Sequence, residues 1–413
     1  MTNFCSDPLP EEFRSDPKFA ANTQSPTGVV VASDNRTTCK YFRMRFKFAN
    51  LESLPEDLLL DILARLPAHV IRDPVSLVCP KWYHLTRTRD FIHAHFQRAT
   101  SGLLLYSAMF PKELIFISMK EGRVEKFRSR NEYGCRIWSS CNGLAFGSCS
   151  CYSKSRLCIL NPATNQHYDL PPYIHSSSMK FYSCLAYAVA SKEYKVVLCH
   201  CLGGRGGVRT YGCDILTVGV DTSWRHVRIQ HLSETSRRLL CDKIPLTTEG
   251  FVHWVADRIV TVLTMNVETE TISESLVPLP RAHRGKRMFY LSTGRYLTVL
   301  VPLGNFSWDV WQMESETGEW VKVISIDLED EKWRFDQFLQ HRNENLVLHE
   351  DMMFFPDGWL DYPDVLVFHS APRNRRCFAY KVRTREISFE LSTLTLGGSY
   401  IFRFHKSTLL SVG

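Results

Sequence analysis

Residues 51–96 read LESLPEDLLLDILARLPAHVIRDPVSLVCPKWYHLTRTRDFIHAHF. Leu54, Leu58, Ile62 and Leu66 recur every four residues, with Leu59 and Leu63 beside them, which makes a helical stripe with a second apolar edge. Pro55 suits the first helical position, where its missing N–H has no intrahelical partner. Glu56 and Asp57 fall in the first turn, where the helix dipole favours negative charge. Ser53 and Glu56 have capping-box spacing. Pro67 stops this helix, and a second apolar run follows: Val75, Leu77, Val78, Trp82 and Leu85. A segment of about 45 residues cannot bury two such faces against itself. Part of its apolar surface is meant for something else.

After Arg98 the hydrophobic period changes from about 3.6 to 2. Six stretches then show alternation, a polar turn and alternation again, the signal of a hairpin. They run from Ile115 to Phe127, Leu157 to Leu170, Leu216 to Ile229, Leu263 to Ile272, Val310 to Val323, and Phe378 to Leu391. Most are preceded by a further strand candidate: Leu103–Tyr106, Gly143–Phe146, Gly250–Trp254, Tyr296–Leu300 and Leu346–Leu348. Similar units of several short strands are the pattern of propeller blades. Tyr400–Phe404 has no hairpin after it and is expected to join the first blade and close the ring, which disposes of exposed sheet edges.

The first stretch resembles the F-box in its Leu54-Pro55 start, DLLLDIL, ARLP, the element made by Val78, Cys79, Lys81 and Trp82, and Asp90-Phe91. That resemblance implies docking on a Skp-family adaptor and, through it, a cullin. Leu54, Pro55, Leu58, Ile62, Leu66 and Pro67 are then expected at or under the adaptor interface. Val78 and Trp82, assigned with them, would complete the small core. Pro80 stands where the family usually carries a basic residue. Inside a helix it would cost about 3 kcal/mol, so it is expected to open a third short helix. The later residues resemble the F-box-associated, kelch-like propeller of plant F-box proteins. The carrying residues are Ser140-x-Asn142-Gly143-Leu144, Asn161-Pro162-x-Thr164, Asp221-x-x-Trp224-Arg225, Gly250-x-x-His253-Trp254 and Asp309-Val310-Trp311-x-Met313. The expected fold class is α+β multidomain. Residues 1–50 are expected to form a disordered segment, 51–98 a small all-α F-box and 99–413 an all-β propeller, with six blades preferred to seven or to a two-sheet sandwich.

The chain's 44% hydrophobic and 12% aromatic content fits a globular protein with a sizeable core. No apolar run reaches the roughly 18 residues of a membrane span. MTNFCSDPLPEEFRSD lacks a charged-then-apolar signal pattern, so a cytosolic or nuclear location is expected. The net charge of +7 is spread along the chain, and nucleic-acid binders usually concentrate theirs on one face. The clusters Arg123–Arg130, Arg281–Arg287 and Arg373–Arg376 read as solvated loops, and Tyr41–Phe48, YFRMRFKF, as an edge strand or a cover for the helical segment.

Fourteen cysteines are scattered without an export signal, so most are expected to be reduced and buried. Neither Cys149-x-Cys151 nor Cys199-His200-Cys201 has zinc-site spacing, and no metal or other cofactor is expected. Asp309, Asp327, Glu329, Asp330, Glu331, Asp361 and Asp364 are the carboxylates a glycosidase-like site could draw on. His253 reads as a core histidine, and Gly203–Gly207 lacks the lysine and helix of a phosphate loop. The expectation is a non-catalytic substrate receptor that binds an adaptor with its F-box and a target protein with its propeller. A propeller hydrolase or lectin with a helical cap is the alternative. Loops Tyr173–Lys180, His200–Tyr211 and Asp327–Asn345 are expected to choose the target.

Overall fold

The computed structural model describes residues 54–107, 112–120, 123–132, 134–149, 156–173, 180–203, 209–242, 244–278, 286–304, 306–331, 354–370, 376–392 and 400–411. The expected N-terminal segment, Ser53, the strand candidate Leu346–Leu348 and most of the three proposed recognition loops lie outside these residues.

Four helices come first: α1 (Glu56–Leu63), α2 (Ala68–Arg72), α3 (Pro80–Leu85) and α4 (Arg89–Arg98). Pro55 sits one position earlier than expected. It caps α1 with extended dihedrals (φ −52°, ψ 144°), and its carbonyl accepts the first helical hydrogen bond, from Leu59 N at 3.0 Å. Leu66 lies beyond the helix, in a turn where its N–H donates to Leu63 O at 3.0 Å. Pro80 opens α3 at its first position behind Cys79, so it removes no helical hydrogen bond. Leu59, Leu63, Ala68, Ile71, Val75, Trp82, Leu85 and Phe91 are buried and form the small core. Val78 does not join them. A one-turn 3-10 helix at Val75–Leu77 brings Val75 inward and leaves Val78 59% exposed, so the inward-facing period slips by one turn.

The strands follow as consecutive antiparallel sheets. They are β1 (Ser101–Ser107), β2 (Glu113–Lys120) and β3 (Arg123–Arg130); then β4 (Cys135–Cys141), β5 (Leu144–Cys149), β6 (Arg156–Asn161) and β7 (Gln166–Asp169). The third sheet has β8 (Lys180–Ala188), β9 (Glu193–Gly203), β10 (Arg209–Thr217) and β11 (Arg225–His226), followed by the short helix α5 (Glu234–Leu239). The fourth has β12 (Leu246–Thr248), β13 (Phe251–Trp254), β14 (Thr261–Asn266) and β15 (Thr271–Leu276). The fifth has β16 (Phe289–Ser292), β17 (Leu297–Pro302), β18 (Ser307–Met313) and β19 (Trp320–Asp327). The sixth has β20 (Phe354–Asp361), β21 (Val365–Ser370), β22 (Arg376–Lys381) and β23 (Glu386–Ser392). The last strand, β24 (Tyr400–Lys406), returns to pair with β1 from Ser101↔Lys406 to Ser107↔Tyr400. There are therefore six four-stranded blades. Their first strands, β24, β4, β8, β12, β16 and β20, adjoin one another in a closed ring. The six expected hairpins are the outer strand pairs of these blades, and Tyr400–Phe404 closes the ring as expected.

Burial on both faces explains the apolar density of the middle strands. In β1, Leu103 and Leu105 pack toward the sixth blade with Val365 and Val367, whereas Leu104 and Tyr106 pack toward the second with Cys135 and Ile137. In β21 the alternation repeats: Leu366 and Phe368 face the fifth blade with Trp308 and Val310. A strand sandwiched this way is apolar at every position, and its period of 2 records which neighbour each side chain meets.

Polar ties lock the blades. Asn161 is buried, and its Nδ2 donates to Thr408 O (3.0 Å) and Leu410 O (2.7 Å), which holds the tail after β24 against the second blade. The Asn142-Gly143 turn joining β4 to β5 has φ values of 52° and 90°, and a Cβ at Gly143 would collide with Thr408 Oγ1. Glu270 joins the third and fourth blades: it accepts from Lys195 Nζ at 2.9 Å and from both ends of the Arg225 guanidinium at 2.7 and 2.8 Å.

The chain enters β1 from α4 beside the end of β24, on the face that carries the first-to-second and third-to-fourth strand turns. His69 of α2 stacks on Phe127 of β3 with ring centroids 4.0 Å apart, and Lys406 Nζ lies 4.2 Å over the Phe96 ring. The helical segment thus rests on the first blade. The strand ends that bound all three proposed recognition loops point to the opposite face of the ring, since those loops join second to third strands or one blade to the next.

Candidate functional site

Helix α1 is divided along its length. Leu59 and Leu63 face inward at 0% and 2% exposure, while Leu58 and Ile62, one turn apart, are 52% and 47% exposed. Leu77, Val78 and Tyr83 on the following elements are exposed as well. Of the residues assigned to adaptor contact, Pro55, Leu58, Ile62 and Val78 meet solvent. Leu54, Leu66 and Pro67 are half-buried, and Trp82 is buried in the small core. Leu77 and Tyr83 were not among the expected contacts; the apolar run Val75–Leu85 was their only signal. The exposed face stands on a braced base. Asp61 accepts from Arg65 Nη2 at 2.7 Å and from Arg98 Nη2 of α4 at 2.6 Å, which ties the first helix to the last. His95 of α4 reaches Leu66 O through Nε2 at 3.1 Å; burial pushes its pKa below the usual histidine value, so the ring is neutral and donates.

On the propeller, a polar cluster surrounds Asp214 of β10. Tyr173 Oη donates to Asp214 Oδ2 at 2.7 Å, His200 Nδ1 lies 3.3 Å from the same oxygen, and His226 Nδ1 meets Oδ1. Burial alone would push the Asp214 carboxyl up. Hydrogen bonds to His200 and Tyr173 and the charge of His226 outweigh it and hold the group below the ordinary carboxylate range. His253 is fully buried between Thr248 Oγ1 (2.8 Å) and Thr264 Oγ1 (3.1 Å), and burial pushes its pKa down to about 3. It is a core histidine, as expected. Among the carboxylates considered for hydrolysis, Asp309 meets Ser325 Oγ (2.7 Å) and Lys322 Nζ (2.8 Å), and Glu329 Oε1 accepts from Phe306 N at 3.0 Å.

The two short cysteine motifs come apart in space. Cys199 faces Cys213 across the third blade, with sulfurs 3.3 Å apart, while His200 belongs to the Asp214 cluster. Cys151 lies outside the described residues. Cys149, however, meets Cys135, Cys158 and His167, and the ligand atoms of all four lie within 4.8 Å of one another. Cys135 and Cys149 are joined as a disulfide, while nine other described cysteines are free, in keeping with the expectation that most are reduced. Burial holds the His167 pKa below its usual value against the opposing pull of Asp169, whose Oδ1 lies 3.5 Å from Nε2.

Residues 51–93 match the F-box domain family, and residues 96–396 match the F-box associated beta propeller domain family. The chain is an F-box protein of the F-box-associated propeller family. Three proteins of Arabidopsis thaliana are similar to it. Two are F-box proteins, one 28% identical over 215 residues (48% of this chain, 46% of the relative) and one 30% identical over 159 (36% and 37%). The third is an F-box/LRR-repeat/kelch-repeat protein, 25% identical over 242 residues (55% and 60%). The chain thus spans about half the length of the curated relatives it matches. Among solved structures, TolB from Acinetobacter baumannii aligns over 76% of this chain and 70% of its own, with a TM-score of 0.40 and 8% identity. A likeness that distant carries no functional argument. Among the described residues, no helix is long and apolar enough to cross a membrane.

Proposed function

We propose that the chain is the substrate receptor of a Skp–cullin–F-box ubiquitin ligase and catalyses nothing itself. The F-box binds a Skp-family adaptor and through it a cullin. The propeller binds a target protein and holds it near the ubiquitin-loaded enzyme, which raises the effective concentration of the two reactants. The observation that carries this reading is the division of α1. Leu58 and Ile62 face water on a helix whose other face is already a finished core, and such exposed apolar surface marks an interaction site. The structural engagement of Asp309 and Glu329 favours this reading over a hydrolase. The target docks on the ring face opposite the F-box, with Tyr173 and His200 of the Asp214 cluster at the described ends of two of the connecting segments. The protein works in the cytosol or nucleus.

Affinity capture from cells tests the proposal. A Leu58→Ala/Ile62→Ala chain should lose adaptor and cullin while retaining and enriching its target. Equal recovery of adaptor by the folded double variant would remove the basis of the reading.

A further inference from the structure

Each strand of the second blade contributes one metal-ligating side chain to a single point: Cys135 from β4, Cys149 from β5, Cys158 from β6 and His167 from β7. The register explains the convergence. Cys135 lies directly opposite Cys149, while Cys158 is opposite Gly147 and His167 is opposite Leu160. Gly147 is two residues from Cys149, and Leu160 is two residues from Cys158. With a side-chain period of 2, all four groups therefore share one face of the sheet. A Cβ at Gly147 would collide with the Arg136 carbonyl oxygen, so only glycine fits opposite Cys158. Cys158 Sγ lies 2.9 Å from Cys149 Sγ and 3.5 Å from Cys135 Sγ, and His167 Nε2 is 3.6 Å from Cys149 Sγ. The three cysteines are buried in the apolar contact between the second and first blades, beside Leu104, Tyr106 and Leu114.

We propose that these four side chains bind one zinc ion when the cysteines are reduced. Three thiolates and one imidazole are a closed tetrahedral donor set for structural zinc. With Zn–S bonds of about 2.3 Å, ligand sulfurs stand roughly 3.8 Å apart. The separations to Cys158 and His167 require only sub-ångström to ångström adjustments, and the Cys135–Cys149 pair opens once its bond is reduced. In the reducing compartment proposed above, glutathione-class thiols supply that reduction. Two thiols lose their protons and two electrons to the disulfide and form their own disulfide, while Cys135 and Cys149 become thiols. Zinc then replaces the three thiol protons, which leave to solvent, and accepts the Nε2 lone pair of His167. The ion would crosslink all four strands of a blade from which the F-box is one blade away.

The test is zinc content of the full chain, purified with a thiol reductant and no chelator, measured by elemental mass spectrometry and by visible absorption after replacement with cobalt. About one zinc per chain and thiolate-to-cobalt charge-transfer bands are expected, as is loss of zinc in Cys158→Ser and weakened retention against a chelator in His167→Gln. Cys199→Ser, which alters a buried pair elsewhere, should keep its zinc. His167 lies at the blade's outer strand, so its variant tests the site even where a cysteine variant fails to fold. A folded, reduced chain without zinc, or folded Cys158→Ser with full zinc content, overturns the proposal.

Discussion

Leu58 and Leu59 are neighbours in sequence with opposite surroundings, and replacing each by alanine should separate binding from folding. Leu59 is fully buried, so Leu59→Ala removes its packing and leaves a cavity, at a cost of about 2–5 kcal/mol of stability. Leu58 is 52% exposed and Ile62 is 47% exposed. Complete burial of such a side chain is worth about 1.5–3 kcal/mol, so roughly half of that already supports folding and half remains for a partner to cover. The double variant Leu58→Ala/Ile62→Ala should therefore lose about 1.5–3 kcal/mol of adaptor affinity, a rise in Kd of roughly 10- to 150-fold. Titration calorimetry of the full chain against a Skp-family adaptor measures the affinity, and circular dichroism melting measures the stability. The reasoning fails if the folded double variant binds as tightly as the parent, or if Leu59→Ala melts like the parent.

Three other outcomes follow from the propeller. Glu270→Gln takes the counter-charge from Lys195, whose side chain is 7% exposed, and should cost about 1–3 kcal/mol by chemical denaturation, more than loss of the half-exposed Arg225. Hydrogen bonding from Arg225 holds the Glu270 carboxyl below its usual range, so this stabilisation is present above the unfolded glutamate pKa and is lost as pH falls through the folded value; Glu270→Gln should flatten that acid limb. Burial pushes His253 and His405 to about 3, so both are neutral in the fold yet take up protons near 6.5 when unfolded. Stability should fall by about 1.4 kcal/mol per pH unit per histidine between those values, and urea midpoints for His253→Asn should show a shallower slope. Deleting residues 400–413 removes the strand that closes the ring and should abolish a single cooperative melting transition, whereas a sharp, parent-like melt would contradict closure by β24.

What the sequence revealed depended on how many neighbours each strand has. The outer pairs announced themselves because one face meets solvent, as in β19, where Trp320–Asp327 has only Ile326 fully buried, and because polar turns bound them. The inner strands carry no such pattern. β12 has only Leu246–Thr248, and β20 contains Pro356 and Gly358 and is interrupted by two register shifts. The first helix was legible from its four-residue leucine repeat, but the 3-10 turn at Val75–Leu77 changed the period and put Val78 outside. The cysteine–histidine cluster was invisible to spacing rules because its ligands stand 14 and 9 residues apart along a meander, and only strand register brings them together.

The central claim, that the exposed F-box face is an adaptor site, is tested most directly by mixing the full chain with a purified Skp-family adaptor and its cullin and following the mixture by size-exclusion chromatography with light scattering. The account predicts a single ternary complex containing one copy of each, which the Leu58→Ala/Ile62→Ala chain forms only at roughly 10- to 150-fold higher concentration. Separate elution of a folded chain from an active adaptor–cullin pair would contradict it.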